Sequence, residues 1–315
     1  MKTRQAVLVK PRRFEIQQAD VALGEGQILV ETAGCGLCTY ELNHWAGRLG
    51  TPPMALGHEG YGVVVEVGPG TTGRVKAGDR VTGLCGKCFS DYFTMPERHV
   101  MLIRPDLDQQ HVPGEPLYCV HNVVRAAHPE IGDCLAIVGC GPMGLWSLQA
   151  LASPTLAAVV AVDVDDEKLD LAKLYGATHS INPGKCDAVE AMKEITAGRL
   201  ADVVVEATGA AAGMETAIHL LRPRRPRLVV CSSFEGPIQL NVPALLAKAV
   251  DVLHAHPGIC MDREDGCRRT ETLINHGVFR TDRLISHRFP LEDVQKAFET
   301  FENRGKGYLK GIVTR

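Results

Sequence analysis

The sequence predicts an α/β protein in which a mostly β part precedes a doubly wound parallel sheet. Three observations carry that prediction. Up to about residue 110, short β-branched runs are bounded by Gly, Pro or Asp. From about residue 120, apolar strands alternate with amphipathic helices, and the first of these strands runs straight into a Gly-rich turn. With 315 residues the chain is long enough for about two domains, each with its own core.

In the first half the expected strands are Ala6 to Val9, Gln27 to Thr32, Gly62 to Val67 and Asp79 to Thr82, a pattern suited to antiparallel pairing through turns. In the second, Cys134 to Val138 precedes the Gly-rich turn and a helix from Leu145 to Leu151. Ala158 to Val162 then precedes a helix from Asp166 to Tyr175, which Gly176 closes. Further strands are expected at Asp202 to Glu206, at Arg227 to Cys231 and near Ala249 to His256, with crossover helices between them. After His256 the pattern is a helix (Arg268 to Asn275), a strand (Leu284 to Phe289), a helix (Leu291 to about Asn303) and a last strand near Gly311 to Val313. This tail is expected to return to the first domain.

Composition narrows the function. The 34 basic and 37 acidic residues leave a net charge of −3 and both signs are scattered, so there is no footprint for nucleic acid or an acidic membrane, and a small-molecule partner is favoured. Hydrophobic residues at 45% and charged residues at 23% exclude disordered and fibrous classes. No secretory h-region and no apolar run of about 18 residues is present, which gives a cytosolic expectation. Eleven cysteines in such a chain point to reduced thiols and metal ligands, not a disulfide framework.

The turn Gly139-Cys140-Gly141-Pro142-Met143-Gly144 matches G-x-G-x-x-G, and its position between strand and helix raises it above a chance match. Gly139 allows the tight turn, Gly141 lets the backbone approach a pyrophosphate, and Gly144 permits close helix packing. The helix N-terminus offers unpaired N–H groups to phosphate. Asp163, 24 residues beyond Gly139, ends the next strand, where its carboxylate would accept from ribose hydroxyls and repel a 2′-phosphate. NAD is therefore expected over NADP, with Lys168 a candidate for the same ribose. Thr208, Gly209, Cys231 and Ser232 follow later strands and are expected to border the nicotinamide.

The first half also holds Cys38, His58-Glu59 and Glu115. A thiolate, an imidazole and a carboxylate form a plausible open Zn²⁺ set, although separations of 20 and 57 residues require the fold to bring them together. Cys119 is the rival third ligand.

Gly36-Leu37-Cys38, Gly57-His58-Glu59-Gly60-Tyr61-Gly62-Val63-Val64, Gly78-Asp79-Arg80-Val81 and Gly114-Glu115-Pro116-Leu117, followed by the Gly-rich turn, resemble the zinc-dependent medium-chain dehydrogenase/reductase family over essentially the whole chain. The Glu-Pro-Leu element is similar to the polyol and threonine dehydrogenase branches. The resemblance implies Cys38, His58 and Glu115 as ligands of one catalytic zinc. Glu59 is implied as the adjacent glutamate, close enough to the metal to replace its water, and Cys119 is left to the core. It also implies a GroES-like catalytic domain (1–118 and 257–315) around a Rossmann NAD-binding domain (119–256), and assembly as a homodimer or homotetramer. The activity implied is Lewis-acid polarisation of a secondary alcohol of polyol, amino-polyol or sugar-like type, with hydride transfer from the carbinol carbon to nicotinamide C4. A zinc-free NAD(P)H quinone or enoyl reductase and a non-catalytic NAD-binding regulator are the alternatives.

Two departures from the family stand out. Where many relatives carry four closely spaced cysteines for a structural zinc, only Cys85-Gly86-Lys87-Cys88 occurs, and it reads as a remnant or a surface dithiol. After Cys38 the family usually has a Ser or Thr, an Asp and, further on, a His. Here Thr39-Tyr40-Glu41-Leu42-Asn43-His44 stands instead, so Tyr40 takes the hydroxyl position and His44 lies one place late. Tyr40 or Thr39 would pass the substrate proton towards His44 or solvent, with Tyr40 narrowing the pocket.

Overall fold

In the computed structural model, which describes residues 1–234, 236–255 and 262–315, the chain divides into two compact units, Met1–Tyr118 with Met261–Arg315, and Cys119–Cys260. His256, the expected end of one strand, and Cys260 lie outside the described residues.

The chain begins with β1 (Lys2–Lys10) and β2 (Arg13–Asp20), followed by β3 (Gln27–Gly36), α1 (Thr39–Trp45), β4 (Met54–Ala55) and β5 (Gly60–Val67). Then come β6 (Arg80–Gly83), β7 (Tyr92–Pro96), β8 (Val100–Ile103) and α2 (Gly114–Ala127). β1 pairs with β2 and β4 in a small antiparallel sheet. β2 carries almost no apolar alternation, only Phe14 being buried, and its register on β1 is what makes it a strand.

The second unit runs β9 (Cys134–Val138), α3 (Pro142–Leu151), β10 (Ala158–Val162), α4 (Asp166–Leu174), β11 (His179–Ile181), α5 (Ala188–Thr196) and β12 (Val203–Glu206). It ends with α6 (Ala211–Leu220), β13 (Arg227–Val230), α7 (Val242–Lys248) and β14 (Asp251–His254). Its six strands are all parallel, in the order β11-β10-β9-β12-β13-β14. Numbered within the unit this is 3-2-1-4-5-6, the Rossmann order, and its switch point lies between β9 and β12. The central strands are buried throughout, as strands covered on both faces must be.

The return segment holds α8 (Arg263–Asn275), β15 (Ile285–Pro290), α9 (Val294–Glu302) and β16 (Lys310–Thr314). α8 starts five residues before the expected Arg268, because the Asp262 side chain caps the N–H of Asp265. α9 is shorter than expected, since residues 291–293 form a 3₁₀ turn. Its buried face, Val294, Ala297, Phe298 and Phe301, lies against the first unit's core, where Phe298 meets the rings of Phe14, Trp45 and Phe89. β15 and β16 complete a seven-stranded sheet with β3, β5, β6 and β8 in the order β15-β16-β3-β5-β6-β8, with β7 also on β3. This joining of the two chain ends is what builds the site.

Candidate active site

The sheet order puts β16, β3 and β5 side by side, with Ile312 opposite Gly36 and Cys35 opposite Gly60. Four chemically distinct side chains are thereby gathered at one sheet end. Cys38 leaves β3 in an extended conformation as the N-cap of α1; His58 and Glu59 immediately precede β5; Lys310 opens β16. Close approach depends on glycine. A Cβ on Gly36 would lie 1.9 Å from Glu59 Oε2, and one on Gly57 (φ +101°) would lie 2.6 Å from the Phe89 amide nitrogen.

Cys38 Sγ, a His58 ring nitrogen and a Glu59 carboxylate oxygen lie within 4.8 Å of one another. Glu115, in the first turn of α2, brings Oε2 to 3.7 Å from His58 Nε2. That helix start is tied to the same strand by buried Thr82, whose Oγ1 accepts from Gly114 N–H (2.7 Å) and donates to the Gly60 carbonyl (2.9 Å). Cys119, on the same helix, is half-buried and so not the core residue expected.

His58 Nδ1 donates to Glu41 Oε1 at 2.9 Å, and Glu41 is 1% exposed. This holds the ring with Nε2 towards Glu115, an arrangement that would present Nε2 to a metal once its proton is displaced. Burial disfavours the His58 imidazolium, but the charge of Glu41 and hydrogen bonds with Cys38 and Glu41 outweigh it and raise the pKa. Burial likewise pushes the Cys38 thiol up, against the opposing effect of His58. The unmetallated pocket therefore holds protons that a bound Zn²⁺ must displace. The donor set of thiolate, anchored imidazole and carboxylate fits that ion.

Glu59 differs from the other acids. Its carboxylate receives Lys310 Nζ at 2.8 Å (Oε1) and 2.5 Å (Oε2), with both side chains buried. Burial works against the Lys310 ammonium, yet Glu59 and Cys38 hold its pKa above the usual value. Lys310, Glu41 and Thr82 escaped the sequence reading. Only Glu41, three residues after Cys38 on a short helix, offered a local signal.

Tyr40 is 53% exposed, and its ring stands edge-on to His44 (4.7 Å) and His58 (5.7 Å). The contact with His44 is thus between rings, and the His44 Nδ1 is buried without a hydrogen-bond partner. Thr39 opens α1 beside it. Cys85 and Cys88 are not a surface pair as expected: Cys88 is 1% exposed, because the loop that carries it folds beneath the His58 segment.

In the second unit, Gly139 (φ +97°) makes the turn after β9, and a Cβ there would meet Thr208 Cγ2 at 2.7 Å. Gly144 approaches the Gly139 carbonyl so closely that a Cβ would lie 1.8 Å from its oxygen, whereas one on Gly141 would project into open space. Gly141 is the N-cap of α3 without a side-chain cap, with Pro142 and Met143 following, so the helix end keeps its amides for an anion. Asp163 directly follows β10 and accepts from the N–H groups of Cys140 (2.7 Å) and Asp165 (2.9 Å). Each carboxylate oxygen retains acceptor capacity. Lys168 lies on α4, half-buried.

Thr208, Cys231 and Ser232 do follow the C-terminal ends of β12 and β13. Their organiser, missed from sequence, is Glu206, fully buried at the end of β12. It accepts from the N–H groups of Thr208 and Gly209 and from the Thr208 and Ser232 hydroxyls.

Comparison with known proteins agrees with this architecture. The family model for the alcohol dehydrogenase GroES-like domain matches residues 24–105, and that for zinc-binding dehydrogenase matches residues 142–263. The chain is 31% identical to the "Probable D-xylulose reductase A" of Arthroderma otae, over 97% of this chain and 94% of that one. It is 27% identical to the sorbitol dehydrogenase of Bacillus subtilis, over 93% and 92%. The structure of 2R,3R-butanediol dehydrogenase from Bacillus subtilis superposes with a TM-score of 0.84 at 24% identity, covering 99% of each chain. The chain belongs to the zinc-dependent medium-chain dehydrogenase/reductase family and is an alcohol dehydrogenase-type oxidoreductase with Zn²⁺ and a nicotinamide dinucleotide as cofactors. No helix among the described residues is long and apolar enough to cross a membrane.

Proposed function

We propose that the protein interconverts a secondary alcohol of the polyol, amino-polyol or sugar-like class and its ketone, with hydride passing to and from NAD. The observation that carries this reading is the meeting of Cys38, His58 and Glu59 donor atoms within 4.8 Å of one another, with Glu115 Oε2 3.7 Å from His58 Nε2 and His58 Nδ1 held by Glu41. The polyol class is supported by the xylulose reductase and sorbitol dehydrogenase relatives.

Cys38, His58 and Glu115 hold the metal, and Glu41 orients His58. Bound zinc supplies Lewis acidity towards an alcohol oxygen. Lys310 neutralises Glu59, so that no second uncompensated carboxylate stands beside the Cys38 thiolate. The Tyr40 hydroxyl takes the substrate proton and releases it to solvent or His44, with Thr39 as the rival donor. Gly139, Gly141, Pro142, Met143 and Gly144 cradle the pyrophosphate, Asp163 and Lys168 receive the adenosine ribose, and Thr208, Cys231 and Ser232 border the nicotinamide.

The catalytic part is assigned to residues 1–118 and 257–315, and the NAD-binding part to 119–256. A homodimer or homotetramer is supported by β14, an edge strand with Val252, and with Leu240, Val242 and Leu246 exposed before and on α7. A thiol-rich chain suits the cytosol.

The test is NADH formation over a panel of polyols, amino-alcohols and small secondary alcohols, before and after zinc removal. Substrate-dependent NADH, lost on chelation and restored by Zn²⁺, with about one zinc per chain, is expected. Undiminished turnover without zinc would favour the reductase reading, and NAD binding without any turnover a regulator.

A further inference from the structure

Cys85 and Cys88 flank Gly86 and Lys87 in a loop that runs along the segment carrying His58. The Cys88 N–H donates to the Gly57 carbonyl (3.0 Å) and the Phe89 N–H to the Leu56 carbonyl (3.3 Å). Cys85 Sγ lies 3.5 Å from the His58 carbonyl, and its S–H is shared between that oxygen and the Gly83 (3.6 Å) and Gly60 (3.9 Å) carbonyls. The packing leaves no slack on the other side, since a Cβ on Gly60 would lie 2.6 Å from Cys88 Sγ. Cys88 donates to Cys85 at a sulfur–sulfur distance of 3.2 Å, so a bond of ordinary length needs a contraction of only about 1.2 Å. Cys85 is partly exposed and Cys88 buried, the division expected of an attacking and a resolving thiol. None of the chemistry proposed above uses either residue.

We propose that Cys85 and Cys88 form a thiol–disulfide exchange site whose substrates are low-molecular-weight disulfides, and that its oxidised form loosens the hold on His58. The Cys85 thiolate attacks one sulfur of the small disulfide and expels the other half as a thiol. The Cys88 thiol then loses its proton and attacks Cys85 Sγ, releasing the second half. The protein is oxidised by two electrons, the small disulfide is reduced to two thiols, and nothing else is consumed. In forming the bond, Cys85 gives up the S–H that the His58, Gly60 and Gly83 carbonyls share and is drawn towards Cys88, displacing the loop that lines residues 56–60. The coupling to zinc rests on His58 being a ligand; the exchange chemistry does not, and the experiment separates the two.

Zinc-loaded protein is equilibrated with oxidised glutathione, alkylated and digested. The expected result is a peptide linking Cys85 to Cys88, lost after treatment with dithiothreitol, and zinc retention against a chelator weakened by about ten-fold in the oxidised form. The zinc retention of Cys85→Ser should be the same in oxidising and reducing buffer. Separately alkylated Cys85 and Cys88, or a link from either to Cys35, the buried thiol that also hydrogen-bonds Cys88, overturns the exchange site. A Cys85–Cys88 link with unchanged zinc retention overturns the coupling to His58 while leaving the exchange site standing. If Cys85→Ser does not fold, Cys88→Ala serves the same comparison.

Discussion

Lys310 gives the most demanding test of how this site is built. Its ammonium lies 2.8 Å from Glu59 Oε1, and at an effective dielectric of about 20 that contact is worth about 6 kcal/mol of gross attraction. Most of this is offset by taking both ions out of water, so the pair adds little net stability. Removing one partner is different. Lys310→Met keeps the length and apolar stem but leaves a carboxylate that is 2% exposed without its counter-ion and close to Cys38, at a cost of about 3–5 kcal/mol. Adding Glu59→Gln removes the stranded charge, so the double variant should recover at least half of that loss. Urea unfolding of the zinc-loaded protein, followed by tryptophan fluorescence, reads this directly, since Trp45 is buried in the first unit and Trp146 in the second. A Lys310→Met protein within about 0.5 kcal/mol of wild type, or a double variant no more stable than the single one, would refute the reasoning.

The cofactor preference rests on Asp163: NAD should be favoured over NADP by about ten-fold or more, and Asp163→Asn should erase the preference, as kcat/KM with the two dinucleotides will reveal. Tyr40→Phe keeps both ring contacts and removes the hydroxyl, so turnover should fall by about 10²-fold with zinc still bound. Unchanged turnover there, with collapse in Thr39→Val, moves the relay to Thr39. Asp91, bonded to the Arg4 guanidinium and amide, has its carboxyl pKa pulled below the usual value by Arg4. Its contribution is therefore present above about pH 4 and lost as pH falls through the lowered value; Asp91→Asn should cost about 1 kcal/mol in urea unfolding at pH 7, and the cost should shrink as the pH is lowered through that value.

What could be read in the sequence follows from how far apart the cooperating residues lie. The stretch proposed to hold the dinucleotide was legible because strand, Gly139 to Gly144, helix and Asp163 are contiguous and their order is itself the physical requirement. Glu206 was not, because a buried acid at a strand end looks like a strand residue until Ser232, from the neighbouring strand's end, is seen to point at it. The metal donors were legible by type alone. Cys38, His58 and Glu115, the donors proposed here, each sit where an element starts or stops; the pairing of β3 with β5 brings Cys38 to His58, and the Thr82 bridge holds the helix start that carries Glu115 to His58.

Lys310 marks the limit of that reading. It lies 251 residues from Glu59 in sequence, and a lysine entering a short apolar strand reads as a solvated end. Its burial follows from β16 joining β3, a pairing between the two ends of the chain that no local pattern encodes. The same pairing gives Glu59 its role. Lys310 compensates the charge of Glu59, whose carboxylate nonetheless lies within 4.8 Å of the Cys38 and His58 donor atoms.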